Sequence, residues 1–406
     1  MDEQKKIYNL LRLVNIPQIR LKLIGNILTP SNLVDDVLIN ISNNIWKIGG
    51  RFLDPSCGKG MFLIKIIEKL QMHHTSEEIL KMIIGIDSDA LCVKITKSII
   101  ALKLNVPKES LDGVIIQTDF LTYEFKGMKF DVVATNPPYK GKASLHQQFF
   151  NKGYELLKDG GSLAFIQPAT TYFNKKGNMK PPVKLMVDII KTNHCKVEIA
   201  PPSVFSGARI QNDLSITHLT KVKTTDTTID EIKYRNGITY NNVPLEDISM
   251  TEVPPIIYST IRKKYVAFIK DSGNMEDIIT KDKNLLKASL PKIRGTTSQT
   301  SDFYTMVSKL DDNILALTKD TCADFGVYVE DVLHIPNVYD YLQSYVARFG
   351  LSMLKFSQNL LNKELKMIPI VDFSRKYTDE ELYDMIGLTE EEINDIKGVI
   401  GNYYDR

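Results

Sequence analysis

Four residues, Asn136-Pro137-Pro138-Tyr139, follow the apolar run at 130–134 and put a rigid polar turn at the end of a buried strand. Open parallel sheets bind ligands at such strand ends. The Asn136 amide oxygen and the carbonyl left free by the two prolines can both accept hydrogen bonds from one planar NH2 group, with the Tyr139 ring beside it to stack. That set of groups suits an adenine amine. An isolated Pro-Pro is more often a plain strand stop, so the neighbouring residues decide.

Upstream, Asp54-Pro55-Ser56-Cys57-Gly58-Lys59-Gly60 reads as the end of a short strand and a glycine turn, followed by an amphipathic helix over 61–70. Glycines in such a turn let a ligand approach the backbone closely. The turn lacks the Gly-Lys-Ser/Thr ending of a phosphate loop and the full spacing of a dinucleotide fingerprint, so a nucleoside without a pyrophosphate fits it better. A second apolar strand, 82–86, ends in Asp87, where a carboxylate can accept both hydroxyls of a ribose or simply cap the next helix. A third strand, 114–117, leads to Asp119 and Phe120, an acceptor and a ring suited to a purine, although Asp119 alone reads equally as a loop residue.

In this order and spacing the chain resembles S-adenosylmethionine-dependent N6-adenine DNA methyltransferases of the gamma group, similar to Eco57I-type restriction-modification methylases. The resemblance implies that Thr29 and Pro30, opening the helix at 33–41, touch the methionine end of the cofactor. It puts Asp54, Pro55, Gly58 and Gly60 on the cofactor's glycine turn, Asp87 on its ribose, and Asp119 with Phe120 on its adenine. Asn136, Pro137, Pro138 and Tyr139 become the catalytic tetrapeptide, with Tyr139 and Phe205 stacking on a flipped target base; Phe205 reads equally as a core anchor before the strand at 214–219. The implied fold is α/β: a Rossmann-like sheet of seven mostly parallel strands with the last antiparallel, followed by a C-terminal mixed α/β target-recognition region. Double-stranded DNA is the implied partner, with a separately encoded cognate restriction endonuclease in view. About 28 residues precede the first motif, which leaves no room at the front for a fused nuclease. Glutamine methyltransferases share the tetrapeptide but place their extra mass before the glycine turn. An RNA adenine methyltransferase and an inactive DNA-binding or anti-restriction protein are the other readings.

To position these residues the pattern supplies strands at 51–54, 82–87, 114–118, 130–135, 161–167, 196–200 and 213–220, separated by helical stretches; this alternation implies an α/β sandwich. The expected division is a catalytic domain over 1–222, a recognition region over 223–350 and a helical segment over 351–406. Residues 1–222 carry a net charge of about +9 and residues 371–406 about −6, and a basic catalytic half suits a polyanion. Lys140, Lys142, Lys175, Lys176 and Lys180 flank the site and are candidates for backbone phosphates, as Arg294 and the polar run 295–300 are for base edges. The run 174–180 is a candidate mobile loop, and Thr378 with Glu381 and Thr389 with Glu392 form capping boxes. Four scattered cysteines exclude a disulfide framework, and the His73-His74 pair lacks partners at ligand spacing, so no metal is expected. No apolar run reaches membrane-spanning length and residues 1–9 are too polar for a secretory signal; a cytoplasmic protein is expected, and a monomer.

Overall fold

The computed structural model describes residues 29–139, 145–169, 172, 180–200, 204–205, 213–234, 237–248, 253–280, 292–294, 316–318, 324–327, 332–354 and 362–401. Lys140, Lys142, Lys175, Lys176 and the run 295–300 lie outside them. The chain divides into two compact units, residues 1–171 with 176–245 and residues 172–175 with 246–406.

The first unit is a doubly wound sheet. Its helices are α1 (Ser31–Leu38), α2 (Asn43–Ile48), α3 (Met61–Leu70), α4 (Ser76–Met82), α5 (Ala90–Leu104), α6 (Leu145–Leu156) and α7 (Pro181–Lys191). Its strands are β1 (Phe52–Asp54), β2 (Ile83–Asp87), β3 (Ile115–Gln117), β4 (Phe130–Thr135), β5 (Leu157–Pro168), β6 (Asn193–Ala200), β7 (Leu214–Lys223), β8 (Thr228–Lys233) and β9 (Thr239–Pro244). They lie in the order β3-β2-β1-β4-β5-β7-β6-β8-β9. The sequence pattern locates the first seven within a few residues, and β7 is antiparallel to both β5 and β6 as expected. Among the described residues the sheet has nine strands, where seven are expected. The threonine-rich stretch after Lys223 makes a short turn, after which Ile229 and Ile232 bury completely in β8, parallel to β6, and β9 pairs back on β8.

Topology makes the site. The chain leaves β1 for β2 and β3 on one side, then crosses to β4 on the other, so the carboxyl ends of β1 and β4 flank the switch point at which open sheets bind ligands. Phe52 and Leu53 pair in register with Val132 and Val133, and all four side chains are at most 1% exposed; each such burial is worth about 1.5–3 kcal/mol. The register therefore places Asp54 beside the end of β4. Helix α3 packs its apolar face on the sheet through Phe62, Leu63, Ile66, Ile67 and Leu70. It starts at Gly60, whose φ of +86° is left-handed, and a Cβ there would stand 2.9 Å from Thr96 Cγ2 on α5. Only glycine satisfies both demands.

The second unit joins the helices α8 (Pro255–Ser272), α9 (Ile335–Gln343), α10 (Tyr345–Ser352), α11 (Asp379–Ile386) and α12 (Glu390–Gly401) around a core of its own. It also holds a four-stranded sheet of β10 (Ile279–Thr280), β11 (Lys292–Arg294), β12 (Ala316–Thr318) and β13 (Asp324–Val327), in the order β10-β13-β12-β11. Both expected capping boxes form: Thr378 with Glu381, and Thr389 with Glu392, each bond reciprocated. The sequence pattern predicts helices over 338–349 and 351–361; the structure instead breaks the first at Ser344, whose side chain accepts from the Ala347 N–H and starts α10 there, and residues 355–361 lie outside the described ones. Among the described residues no helix is long and apolar enough to cross a membrane.

Candidate active site

A cleft with an empty volume of about 1020 Å³, counting the solvent at its mouth, opens over the carboxyl ends of β1, β2 and β4. Of the residues singled out in the sequence, Thr29, Pro55, Gly58, Asp87, Asp119, Phe120, Asn136, Pro137, Pro138, Tyr139 and Phe205 line it. Pro30, Asp54 and Gly60 do not. Pro30 is the N-cap residue of α1, Gly60 turns towards Thr96, and Asp54 lies beneath the floor with 1% of its surface exposed.

The turn after β1 is tied to β2. Cys57 N donates to Ile86 O at 2.8 Å and Gly58 N to Asp87 Oδ2 at 2.9 Å, with Gly58 held at a φ of +51°. Asp87 Oδ1 accepts from Asp89 N at 2.8 Å, so the carboxylate orders its own loop and still has lone pairs to face the cleft. Burial pushes its carboxyl above the ordinary range. Capping and ligand roles are thus compatible, because the helix cap itself is Asp89, which accepts from Leu91 N and Cys92 N.

Beneath the floor, Asp54 Oδ1 accepts from Thr135 Oγ1 at 2.7 Å and from Ser56 N at 3.2 Å, while its Oδ2 is buried without a hydrogen-bond partner. Burial, reinforced by the negative charge of Asp87, pushes the Asp54 carboxyl up to about 7 in spite of those bonds.

The tetrapeptide is held more tightly than its sequence suggests. Asn136 Nδ2 donates to Thr29 Oγ1 at 3.1 Å, and the Tyr139 hydroxyl donates to Asn136 Oδ1. Burial raises the Tyr139 phenol, so it stays protonated and is the donor. Thr29 thus orients Asn136, a task that sequence reasoning did not give it. His146, from α6, meets the Tyr139 ring edge-on with centroids 6.1 Å apart; burial lowers its imidazole to about 4, which makes it a neutral wall at pH 7.

The side of the cleft at Asp119 and Phe120 is built by α6. Phe149 packs on Phe120 at 5.0 Å, and Lys152 Nζ lies 5.2 Å from the Phe120 ring while donating to the Leu121 and Tyr123 carbonyls at 2.9 and 2.8 Å. Phe120 is 2% exposed and Asp119 is exposed. Phe205 is also 2% exposed and belongs to the hydrophobic core that holds Leu33 and Val37, while contributing to the cleft lining.

Sequence reasoning missed Ser56, Thr135, Phe149 and Lys152 as parts of this site. Thr135 carried a signal, a hydroxyl at the end of an otherwise apolar strand. Phe149 carried none, since an aromatic on an amphipathic helix is ordinarily core.

The profile of the N-6 DNA Methylase family matches residues 6–289. The chain belongs to this family. It is 29% identical over 150 residues to the type II methyltransferase M.TthHB8I of Thermus thermophilus, covering 30% of each chain. It is 30% identical over 137 residues to the modification methylase CviBIII of Paramecium bursaria Chlorella virus NC1A, covering 30% of this chain and 32% of that one. The match thus spans about a third of the length of these curated relatives. A type I restriction-modification methyltransferase subunit from Streptococcus thermophilus, of known structure, is 17% identical with a TM-score of 0.38, covering 52% of this chain and 47% of that one.

The cleft's chemistry suits the cofactor of an N6-adenine methylase. S-Adenosylmethionine carries a sulfonium, an ammonium, two ribose hydroxyls and an adenine amine. The cleft answers with two carboxylates, at Asp87 and Asp119, with the orphaned Asp54 Oδ2 below and with aromatic walls at Phe120 and Phe149. Among the described residues no cluster could hold a metal ion.

Proposed function

We propose that this chain is a site-specific DNA methyltransferase that transfers the methyl group of S-adenosylmethionine to N6 of a flipped-out adenine, in a restriction-modification or phage-protection setting. The observation that supports it most is the placement of Asn136 at the end of β4, across the switch point from the glycine turn and inside one cleft with it, in a chain of the N-6 DNA Methylase family. Asp87 would hold the ribose, Asp119 with Phe120 the adenine, and the turn from Pro55 to Gly58 the remainder of the cofactor. When bound, the cofactor supplies an electrophilic methyl on a good leaving group, so a strong general base is unnecessary.

The chain's own residues act on the amine. An adenine N6 lone pair is delocalised into its ring, and attack requires the nitrogen to become tetrahedral. Asn136 Oδ1 and the Pro137 carbonyl favour that change by accepting both amine protons. Proximity and orientation supply much of the rest. Asn136 Oδ1 accepts from the Tyr139 hydroxyl through one of its two lone pairs, and withdrawal of that hydroxyl would leave the oxygen wholly to the amine. One movement of Tyr139 then frees the acceptor and brings its ring to stack on the extruded base. Phe205 would cover a second face.

Target choice, expected of residues 223–350, we assign to the part of that region beyond residue 245. Since β8 and β9 are built into the catalytic sheet, an exchange of recognition segments should be cut after residue 245. Whether a cognate nuclease accompanies the chain is answered by neighbouring genes.

The test is to express the chain in a host lacking adenine methylation, sequence the chromosome for modified adenines, and offer the purified protein DNA, RNA and glutamine peptides with labelled S-adenosylmethionine. Adenine N6 methylation at one recurring DNA sequence supports the reading. Label entering RNA or peptide but not DNA would overturn it.

A further inference from the structure

A peptide bond between asparagine and proline has one hydrogen-bonding group. Proline carries no N–H, so the planar unit joining Asn136 to Pro137 can be anchored only through the Asn136 carbonyl. The next unit, between Pro137 and Pro138, likewise offers only the Pro137 carbonyl, which the proposed chemistry reserves for the amine. The Asn136 carbonyl has a partner: Ser56 Oγ donates to it at 3.2 Å.

Ser56 does not act alone. Its Oγ lies 2.8 Å from Thr135 Oγ1, and Thr135 spends its own proton on Asp54 Oδ1 at 2.7 Å. In that arrangement Ser56 is the donor in the serine-threonine contact and shares its proton between Thr135 and the Asn136 carbonyl. Thr135 is fully buried and Asp54 nearly so, so these groups have no water to turn to, and an unmet partner would carry its full desolvation cost. The result is a chain of side chains running from the end of β1 to the main chain of the tetrapeptide on β4, and it closes the gap between the two strands at the switch point.

We propose that Ser56 and Thr135 are positioning residues for methyl transfer: anchored on Asp54, they hold the peptide between Asn136 and Pro137 in place, and with it both acceptors of the target amine. This rests on the reading above that Asn136 Oδ1 and the Pro137 carbonyl take the amine protons. Neither residue touches the amine. Thr29 fixes the Asn136 side chain independently through Nδ2, so the two systems divide the work, one holding the amide group and the other the backbone beneath it.

The sequence permits a direct measurement, because Asn136 is the sole asparagine followed by proline among the 406 residues. Full-length protein labelled with carbonyl-13C asparagine and 15N proline therefore gives a single coupled carbonyl signal, that of Asn136. A carbonyl that loses an accepted hydrogen bond shifts upfield. Ser56→Ala should move this signal upfield, and Thr135→Val, which keeps the side-chain shape and removes the hydroxyl that competes for the Ser56 proton, should displace it from its wild-type position. Thr135→Ser should return the signal towards its wild-type position. In turnover, loss of either hydroxyl should lower kcat by about 10-fold, the scale of one lost hydrogen bond; Thr135→Val, whose site lies beneath the cleft and outside its lining, should do so with cofactor affinity unchanged, and Thr135→Ser should rescue the rate. The double variant should be no slower than the worse single one, since both break the same chain. An Asn136 signal that stays in place in Ser56→Ala overturns the anchoring, and Thr135→Ser as slow as Thr135→Val reduces Thr135 to packing. A wild-type chain that methylates no adenine would defeat the functional reading and the catalytic half of this one, while the carbonyl signal still decides the anchoring.

Discussion

Replacing Asp54 by asparagine should make the catalytic unit less sensitive to alkali, and the size of the effect follows from the site. The Asp54 carboxyl is pushed up to about 7 by burial and by Asp87, against an ordinary value of 3.8. Between those values the folded chain keeps a proton that the unfolded chain has released, so stability falls as pH rises through this window and levels off above it. The window is about three pH units wide, and at about 1.36 kcal/mol per unit the loss is roughly 4 kcal/mol. The asparagine of the Asp54→Asn variant cannot ionise and would lack that slope. Its oxygen can still accept from Thr135 and from Ser56 N, but its NH2 would occupy the place of the partnerless Oδ2, costing about 1–3 kcal/mol at every pH. Asp54→Asn should therefore be the weaker protein at about pH 4 and the stronger one at about pH 8, with the curves crossing in between. Trp46, the sole tryptophan, is stacked on Phe52 of β1 at 5.1 Å and reports on this unit. Urea unfolding of cofactor-free protein, followed by Trp46 fluorescence across that pH range, makes the measurement. A difference between the two proteins that stays constant with pH would mean that Asp54 carries no raised carboxyl.

Asp87→Ala should weaken S-adenosylmethionine binding by about 10-fold or more in calorimetry, through the lost hydroxyl acceptor and the loosened Gly58 turn; an unchanged Kd would confine Asp87 to holding its loop. Tyr139→Phe keeps the ring and uncaps Asn136 Oδ1, so its single-turnover rate should match or exceed wild type, whereas Tyr139→Ala should be slow. A Phe variant as slow as the Ala variant would show that the hydroxyl contributes to transfer itself. Phe205→Trp should methylate faster than Phe205→Leu if the ring stacks on the extruded base, a contact worth about 1–3 kcal/mol; equal rates with a lowered melting temperature in both would make Phe205 solely a core residue.

The sheet was legible because its strands are short apolar runs broken by turns, and β4 is placed to the residue. The cleft was legible because polar residues at several strand ends, Asp87 and Asn136 among them, follow one another in a consistent order, which no one of them establishes alone. Strands β8 and β9 were not, since only Ile229, Ile232 and Val243 bury in them and the flanking threonines and asparagines read as loop. The links of Thr29 to Asn136 and of Ser56 to Thr135 join residues 107 and 79 positions apart. Such contacts depend on which strands become neighbours, and no local pattern encodes that. Tyr139 shows the same limit, because its ring was expected from the motif while the bond from its hydroxyl to Asn136 needed coordinates.

Asn136 is assigned to an adenine amine in DNA, while the cofactor is assigned to the rest of the cleft. The most direct test compares wild type with Asn136→Ala in two assays on the same preparations: binding of S-adenosylmethionine by calorimetry, and N6-methyladenine formed in duplex DNA by mass spectrometry of the digested product. Wild type should form N6-methyladenine and Asn136→Ala none, with cofactor affinity the same in both. Near-wild-type methylation by Asn136→Ala, or a loss of methylation that only tracks lost cofactor binding, would contradict the account.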